Sequence, residues 1–137
     1  MNLFADSSAL AKRYIADERS EDFDRLLQTA SGLTVSVLCI PEILSALCRR
    51  RRERALTAVQ YETAKRALES DVADATVIQI NDEVTLTCIR LLETNPLRSS
   101  DAIQVASAIA WRSDVFVSAD ARQCAAAKTS GLSVVKL

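Results

Sequence analysis

The 137-residue sequence contains no histidine and only two glycines, Gly32 and Gly131. The missing imidazole excludes every mechanism that uses a histidine as base, acid or metal ligand. The scarcity of glycine excludes the G-x-G-x-x-G fingerprint and the Walker A loop, which cradle phosphates with backbone amides. A chain of this composition that handles phosphates must therefore do so through metal ions or basic side chains.

An excess charge of one sign and long apolar runs are also missing. The 17 basic and 18 acidic side chains leave a net charge of -1, so any binding of nucleic acid must come from a local patch. No N-terminal signal is visible, because Asp6 interrupts the first apolar run, and no segment approaches the roughly 20 apolar residues of a membrane span. The cysteines form no C-x-x-C pair and are interpreted as reduced core thiols of a cytoplasmic protein: Cys39, Cys48, Cys88 and Cys124.

What the sequence does contain is a regular alternation of strands and helices. Hydrophobic residues make up 49% of the chain, which predicts one folded domain over residues 1–137. The expected strands are residues 2–5, 33–38, 76–80, 115–117 and 133–135. Their alternation with helices predicts an α/β fold with a parallel sheet covered on both faces. Pro41 is expected at the first position of its helix, and Ser99 and Ser100 are expected to cap a buried helix that begins at Asp101.

Four acidic residues lie where ligands bind in open α/β sheets, beyond the carboxyl ends of the strands. Two follow strands and two lie in the first turn of helices: Asp6 and Asp120, and Glu42 and Asp101. Taken singly, each acid is also explained by helix capping and by the helix dipole. Neighbouring serines offer alternative caps, and parallel strands bring their ends together, so the set as a whole favours a shared site.

A cluster of four carboxylates would repel itself unless its pKa values rose or a cation neutralised it. Oxygen ligands without histidine or thiolate favour Mg²⁺ or Mn²⁺. A hard cation of this kind activates water and neutralises charge during phosphoryl chemistry. We therefore expect a divalent-metal site whose catalytic and metal-binding residues are Asp6, Glu42, Asp101 and Asp120.

Five segments of the sequence resemble the motifs of PIN domains and, among these, of VapC-type toxins of toxin–antitoxin systems. They are LFADSSA at residues 3–9, PEI at 41–43, RSSDA at 98–102, SAD at 118–120 and GLSV at 131–134. The segments occur in the family's order over almost the whole chain. The resemblance implies a three-layer α/β/α fold with a central five-stranded parallel sheet and an Mg²⁺- or Mn²⁺-dependent endoribonuclease. It also implies a homodimer and a cognate antitoxin whose tail enters the active site.

The resemblance assigns roles to single residues as well. It implies that Asp6 and Asp101 are direct metal ligands and that the other two acids complete the metal shell or position water. Ser7 and Ser118 would be their polar neighbours.

A run of arginines is the clearest local basic patch: Arg49, Arg50, Arg51 and Arg52. Two explanations stay open, because cations near the end of a helix complement its dipole and cations on a surface also bind RNA phosphates. Further candidates for contact with RNA or with an antitoxin are Lys12, Arg13 and Arg98.

Two other functions stay open. A metal-dependent phosphatase for small molecules would also use an aspartate after the first strand. The D-x-D motif of one such class is missing, because Asp6 is followed by Ser7 and Ser8. The other alternative is a non-catalytic RNA-binding module that keeps the same fold.

Overall fold

Five short strands and seven α-helices alternate along the chain in the computed structural model, which describes residues 1–137. The strands are β1 (Asn2–Ala5), β2 (Gly32–Ser36), β3 (Thr76–Ile78), β4 (Val115–Ser118) and β5 (Ser133–Lys136). The helices are α1 (Ser7–Leu10), α2 (Ser20–Thr29), α3 (Cys39–Arg52), α4 (Ala58–Asp74), α5 (Asp82–Thr94), α6 (Ser99–Trp111) and α7 (Ala121–Thr129). A 3₁₀ turn, Ala11–Arg13, continues α1.

All five strands form one parallel sheet, as predicted, and their order in the sheet is β3-β2-β1-β4-β5. The chain builds the sheet outward from β1 to β3 and then crosses to the other side of β1 for β4 and β5. The order therefore reverses between β1 and β4, and ligands bind at such a switch point, beyond the carboxyl ends of the strands. The fold itself places a crevice where Asp6 and Asp120 follow these two strands.

Both faces of the sheet are buried under helices, which explains why the strands are almost continuously apolar. In β1, Leu3 and Ala5 enter a core shared with α1 to α4, whereas Phe4 enters a second core shared with α5 to α7. The ring of Phe4 stacks on that of Phe116 in β4, with centroids 5.8 Å apart. The predicted three-layer α/β/α architecture is therefore confirmed.

Two helices begin earlier than predicted. Helix α3 starts at Cys39, so Pro41 is its third residue and not its first. This position tolerates proline, because the first four amides of a helix have no intrahelical acceptor. Helix α6 starts at Ser99 and has Arg98 as its N-cap residue, with no side-chain cap. The prediction that Ser99 and Ser100 cap this helix was wrong, since both lie inside its first turn.

The four cysteines are free thiols. Three of them are buried and Cys48 is half-buried, which agrees with their interpretation as core residues. The pKa of the Cys39 thiol is raised to about 12 by burial and by the neighbouring charge of Glu42, so this thiol stays protonated. None of the helices has the combination of length and apolar character needed to cross a membrane.

Candidate active site

The four predicted acids lie in segments that meet at the carboxyl edge of the sheet. Asp6 directly follows β1, and Asp120 lies two residues after β4, which pairs with β1. Glu42 lies in the first turn of α3, and Asp101 in the first turn of α6. Hydrogen bonds through serine and glutamine side chains join the four acids into local groups.

Asp6 is the most deeply buried of the four, with only 1% of its surface exposed. Its Oδ1 accepts the backbone amide of Ala9 at 2.9 Å and the hydroxyl of Ser8 at 2.8 Å. Its Oδ2 accepts the hydroxyl of Ser118 at 2.7 Å. Asp6 therefore caps α1, and neither of the serines expected as alternative caps replaces it. The capping explanation holds for this residue, and its burial exceeds what a cap requires.

Two serine hydroxyls connect Asp6 to the segment that carries Asp120. The hydroxyl of Ser8 accepts the amide of Ala119 at 2.9 Å, and that of Ser118 accepts the amide of Asp120 at 2.9 Å. Each hydroxyl thus donates to the Asp6 carboxylate and accepts from the β4–α7 connection. This arrangement holds the ends of β1 and β4 together at the switch point.

Glu42 forms a second group with residues of α1 and α6. Its Oε1 accepts the hydroxyl of Ser7 at 2.9 Å and the side-chain amide of Gln104 at 2.7 Å. The same Gln104 amide lies 2.9 Å from the Ser7 hydroxyl. Gln104 is 1% exposed, so a buried amide and a hydroxyl together orient one oxygen of this carboxylate.

Asp101 and Asp120 form the third group, and Gln123 links them. The side-chain amide of Gln123 donates to Oδ1 of Asp101 at 3.0 Å, and its backbone amide donates to Oδ1 of Asp120 at 3.0 Å. Asp120 also accepts the backbone amide of Arg122 at 2.8 Å and so caps α7. The Oδ2 atoms of both acids accept no hydrogen bond from the protein. Both carboxylates line one cavity of about 470 Å³.

Burial raises the pKa of Asp6 to about 6. Hydrogen bonds from Ala9, Ser118 and Ser8 act in the opposite direction, and the charge of Asp120 raises the pKa further. Desolvation of the charged form is the largest cause, as expected for a carboxylate removed from water. The Ser118 hydroxyl also links the two segments, since it donates to Asp6 and accepts the amide of Asp120. A cation near them would stabilise the ionised form of Asp6.

The sequence from residue 3 to residue 129 matches the family model of the PIN domain. This match covers most of the chain and includes all four acids. The chain belongs to the PIN-domain family. A comparison with curated proteins finds no relative.

Solved structures share the fold of this PIN domain over nearly their whole length. VapC20 of Mycobacterium tuberculosis, described as a sarcin–ricin loop-cleaving toxin, has a TM-score of 0.72 at 16% identity and covers 98% of this chain and 99% of its own. FitAcB of Neisseria gonorrhoeae has a TM-score of 0.76 at 12% identity, with 98% and 96% covered. VapBC2 of Rickettsia felis, bound to promoter DNA, has a TM-score of 0.71 at 11% identity, with 100% and 99% covered. At identities this low, the TM-scores establish a common fold and nothing further.

The acids of this PIN domain do not converge on one point. No three acidic or cysteine side chains lie close enough together to hold one metal ion between them. Mg²⁺ does not need such a cage, because it commonly binds one or two carboxylates and keeps several waters. Asp101 and Asp120 meet this requirement, since both residues line one cavity and each has an oxygen that accepts no hydrogen bond from the protein. The residues present therefore fit a hydrated divalent cation of this type.

The basic residues named from the sequence fall into three groups. Lys12 and Arg13 are engaged in ion pairs, Lys12 with Asp17 and Arg13 with Asp71 and Asp24. The arginines at the end of α3 are exposed and form no ion pair: Arg49, Arg50, Arg51 and Arg52. Arg98 lines the cavity of Asp101 and Asp120.

Sequence reasoning missed four residues of this site: Ser8, Gln104, Gln123 and Arg122. Gln104 had a visible signal, because it is a polar residue within the apolar helix α6, three positions after Asp101. Gln123 also had one, since it lies three residues after an N-cap aspartate, the position of glutamine in a capping box. Its side chain turns instead to Asp101. Nothing in the sequence pointed to Arg122.

Proposed function

We propose that this chain is an Mg²⁺- or Mn²⁺-dependent endoribonuclease and the toxin of a toxin–antitoxin pair. The observation that carries the proposal is the cavity between the starts of α6 and α7, which is lined by Asp101 and Asp120, each with an oxygen that has no protein partner. Membership of the PIN family and the shared fold with VapC20, a toxin described as cleaving the sarcin–ricin loop, support the choice of reaction.

The acidic side chains and Gln123 would have different roles in binding the cation. Asp101 and Asp120 would hold the cation, and Gln123 donates hydrogen bonds to their Oδ1 atoms, which leaves their Oδ2 atoms without a protein donor. Asp6 accepts hydrogen bonds from Ser8 and Ser118 and would contribute negative charge that the cation compensates. When bound, the cation would supply an activated water and neutralise charge on the phosphate.

Glu42 would position water at the edge of the same site. Its Oε1 is held by Ser7 and Gln104, which leaves Oε2 without a hydrogen bond from the protein. A carboxylate that has one oxygen fixed by hydrogen bonds and the other oxygen free can accept a proton from a water molecule in a defined direction. Glu42 therefore fits an accessory role better than a place in the first coordination sphere.

The phosphatase alternative is less well supported by the surroundings of Asp6. A nucleophilic carboxylate must reach its substrate, whereas Asp6 is 1% exposed and both of its oxygens accept hydrogen bonds. The aspartate after the first strand is thus placed to add charge and hold the two strands rather than to attack. The non-catalytic RNA-binding module stays an outcome of the test below.

The arginines at the end of α3 would extend the surface that binds RNA. Arg49 lies seven residues after Glu42, which places it on the same side of the helix about 10 Å further along the axis. Ser45 and Ala46, which lie between them on this side, are small. A strand whose scissile phosphate lies at the acids would pass Arg49 within two or three nucleotides.

An antitoxin partner and a homodimer belong to the same proposal. The neighbour from Rickettsia felis is a VapBC complex bound to DNA, and another neighbour is described as a toxin–antitoxin complex from Klebsiella pneumoniae. We expect a cognate antitoxin protein to form a stable complex with this chain and to block RNA cleavage. Light scattering of the purified chain measures whether it forms a dimer.

The decisive experiment incubates the purified chain with structured RNA in Mg²⁺, in Mn²⁺ and in EDTA. Asp101→Asn, Asp6→Asn and the control Asp74→Asn are tested in parallel. Asp74 is exposed at the end of α4, directly before the amino end of β3, and therefore lies away from the site. We expect metal-dependent cleavage that Asp101→Asn reduces by about a hundredfold or more, because loss of even an indirect ligand partner reduces metal affinity or activity 10- to 100-fold.

Each other result points to a different function. Cleavage that persists in EDTA or in Asp101→Asn would refute the metal-dependent mechanism. Hydrolysis of small phosphate esters with intact RNA would favour the phosphatase. RNA binding without cleavage in any metal would favour the binding module.

A further inference from the structure

The cavity of Asp101 and Asp120 is lined by side chains of both charges. Its other lining residues are Arg98, Ala121 and Arg122. Arg98 immediately precedes α6 and Arg122 lies in the first turn of α7, so each guanidinium comes from the same helix start as one of the acids. Neither arginine forms an ion pair with any carboxylate of the chain.

This arrangement differs from an ordinary surface salt bridge. Two guanidiniums and two carboxylates share one cavity, yet the acids take their hydrogen bonds from Gln123 and from the amides of α7. The five N–H donors of each guanidinium therefore stay available to a ligand. Arginine presents these donors as a planar fork that matches two oxygens of a phosphate.

The balance of charge indicates what the cavity takes up. The charges of the two lining acids and the two lining arginines cancel, and Asp6 adds negative charge behind them. A divalent cation at the two acids would therefore leave an excess of positive charge. A ligand with one negative charge per repeating unit, such as the backbone of a nucleic acid, neutralises that excess. A peptide rich in acidic side chains is less suited, because its carboxylates would compete with Asp101 and Asp120 for the cation.

The two helix starts contribute differently. Helix α6 has no side-chain cap, so the positive end of its dipole adds to the attraction of Arg98 for an anion. The first amides of α7 are already taken by Asp120. On the α7 side, attraction for an anion must therefore come from the Arg122 side chain itself.

We propose that Arg98 and Arg122 form a phosphate-binding subsite that binds the RNA backbone beside Asp101 and Asp120. This inference rests on the proposed ribonuclease function and names the residues that position its substrate. The two arginines touch the phosphate and leave the metal to the acids. Substitution of either one should therefore separate RNA binding from metal binding.

The test compares Arg98→Gln, Arg122→Gln and the double variant with the wild-type chain. Arg66→Gln is the matched control, because Arg66 is exposed on α4 and forms no ion pair. Three quantities are measured: kcat and KM for a fluorescently labelled single-stranded RNA, the salt dependence of RNA affinity, and Mn²⁺ affinity by electron paramagnetic resonance. Circular dichroism verifies that every variant is folded.

We expect each single variant to lose about tenfold to a hundredfold in kcat/KM, chiefly through an increase in KM. A loss of this size is usual when a hydrogen bond to a charged group is removed. The slope of log Kd against log salt should fall by about 0.7 for each arginine removed. Mn²⁺ affinity should stay equal or increase, because a neighbouring positive charge is lost. Arg122→Lys should recover only part of the activity, since lysine lacks the fork.

The outcomes separate this inference from the function on which it rests. A wild-type chain that cleaves RNA, with variants as active as Arg66→Gln, overturns the subsite and leaves the nuclease intact. A chain that binds RNA through Arg98 and Arg122 without cleaving it overturns the nuclease and supports the subsite. Variants that lose only the complex with an acidic partner protein, or that lose Mn²⁺ together with RNA, overturn the subsite. A chain that neither binds nor cleaves RNA overturns both.

Discussion

The buried carboxylate of Asp6 should make the metal-free protein less stable as the pH rises. In the folded chain the pKa of Asp6 is raised from its ordinary 3.8 to about 6, with desolvation as the main cause. The folded state therefore binds a proton more tightly than the unfolded state does. This group contributes full stability below about pH 4 and loses it progressively up to about pH 6, after which the contribution is constant.

The size of the effect follows from the two pKa values. The difference between about 6 and 3.8 corresponds to about 3 kcal/mol in the free energy of unfolding. About 1 kcal/mol of this is lost by about pH 4.5 and most of the remaining ~2 kcal/mol by about pH 6.5. Asp6→Asn removes the ionisation and keeps an oxygen for the amide of Ala9. The new amide group faces the Ser118 hydroxyl, which can turn its proton towards Ser8 at 3.3 Å.

We therefore expect Asp6→Asn to gain about 2 kcal/mol relative to the wild-type chain between about pH 4.5 and about pH 7.5, or about 6 °C to 10 °C in Tm. The assay is urea unfolding followed by circular dichroism in EDTA at a series of pH values. Asp74→Asn is the control and should follow the wild-type curve within about 0.5 kcal/mol. Adding Mg²⁺ at about pH 7.5 should stabilise the wild-type chain more than Asp6→Asn, because binding to the folded state shifts the equilibrium.

One result would refute this reasoning. If the stabilities of wild type and Asp6→Asn differ by the same amount at every pH, the ionisation of Asp6 carries no cost. Its carboxylate would then be better solvated than its burial indicates, and no cation would be needed to compensate its charge.

Three further substitutions test the fold and the surroundings of the site. Phe116→Ala should destabilise the chain by about 3 to 5 kcal/mol in urea unfolding, because a fully buried ring stacked on Phe4 leaves a cavity; a loss under about 1 kcal/mol would contradict this packing. Tyr14→Phe should cost about 1 to 2 kcal/mol by the same assay, since it removes the 2.6 Å hydrogen bond that the phenol donates to Asp71. Thr57→Ala should cost about 1 kcal/mol by removing the N-cap of α4, and Thr57→Ser should restore most of it; equal stability of the two variants would argue against the cap.

Much of the fold could be predicted from local pattern. The apolar runs near Leu3, Val35 and Phe116 indicated buried strands, and their alternation with helices indicated a parallel sheet. The errors at helix starts were of two residues, as at Cys39 and Ser99. They arose because several positions near a helix start satisfy the same preferences, and packing against the sheet selects among them.

The candidate site was only partly predictable. Asp6 and Asp120 could be named because each follows a strand, and the place where parallel strands end is set by topology. Gln123 could not be assigned, since its side chain contacts Asp101, a residue of another helix. Arg122 could not be assigned either, since the cavity that it lines is formed by two helices. No local preference distinguishes a glutamine that turns to its own helix start from one that turns to a neighbouring helix.

The sequence by itself determined the order of strands and helices, the acidic candidates for a metal site and the absence of imidazole chemistry, because these depend on composition and on short-range periodicity. The tertiary structure alone decided that Asp101 and Asp120 share an open cavity while Asp6 is buried behind two serines. The hydrogen bond from Ser118 to Asp6 joins residues 112 positions apart. Contacts over such separations arise from the packing of whole elements, and this packing determines which carboxylates lose water and which keep an oxygen free for a ligand.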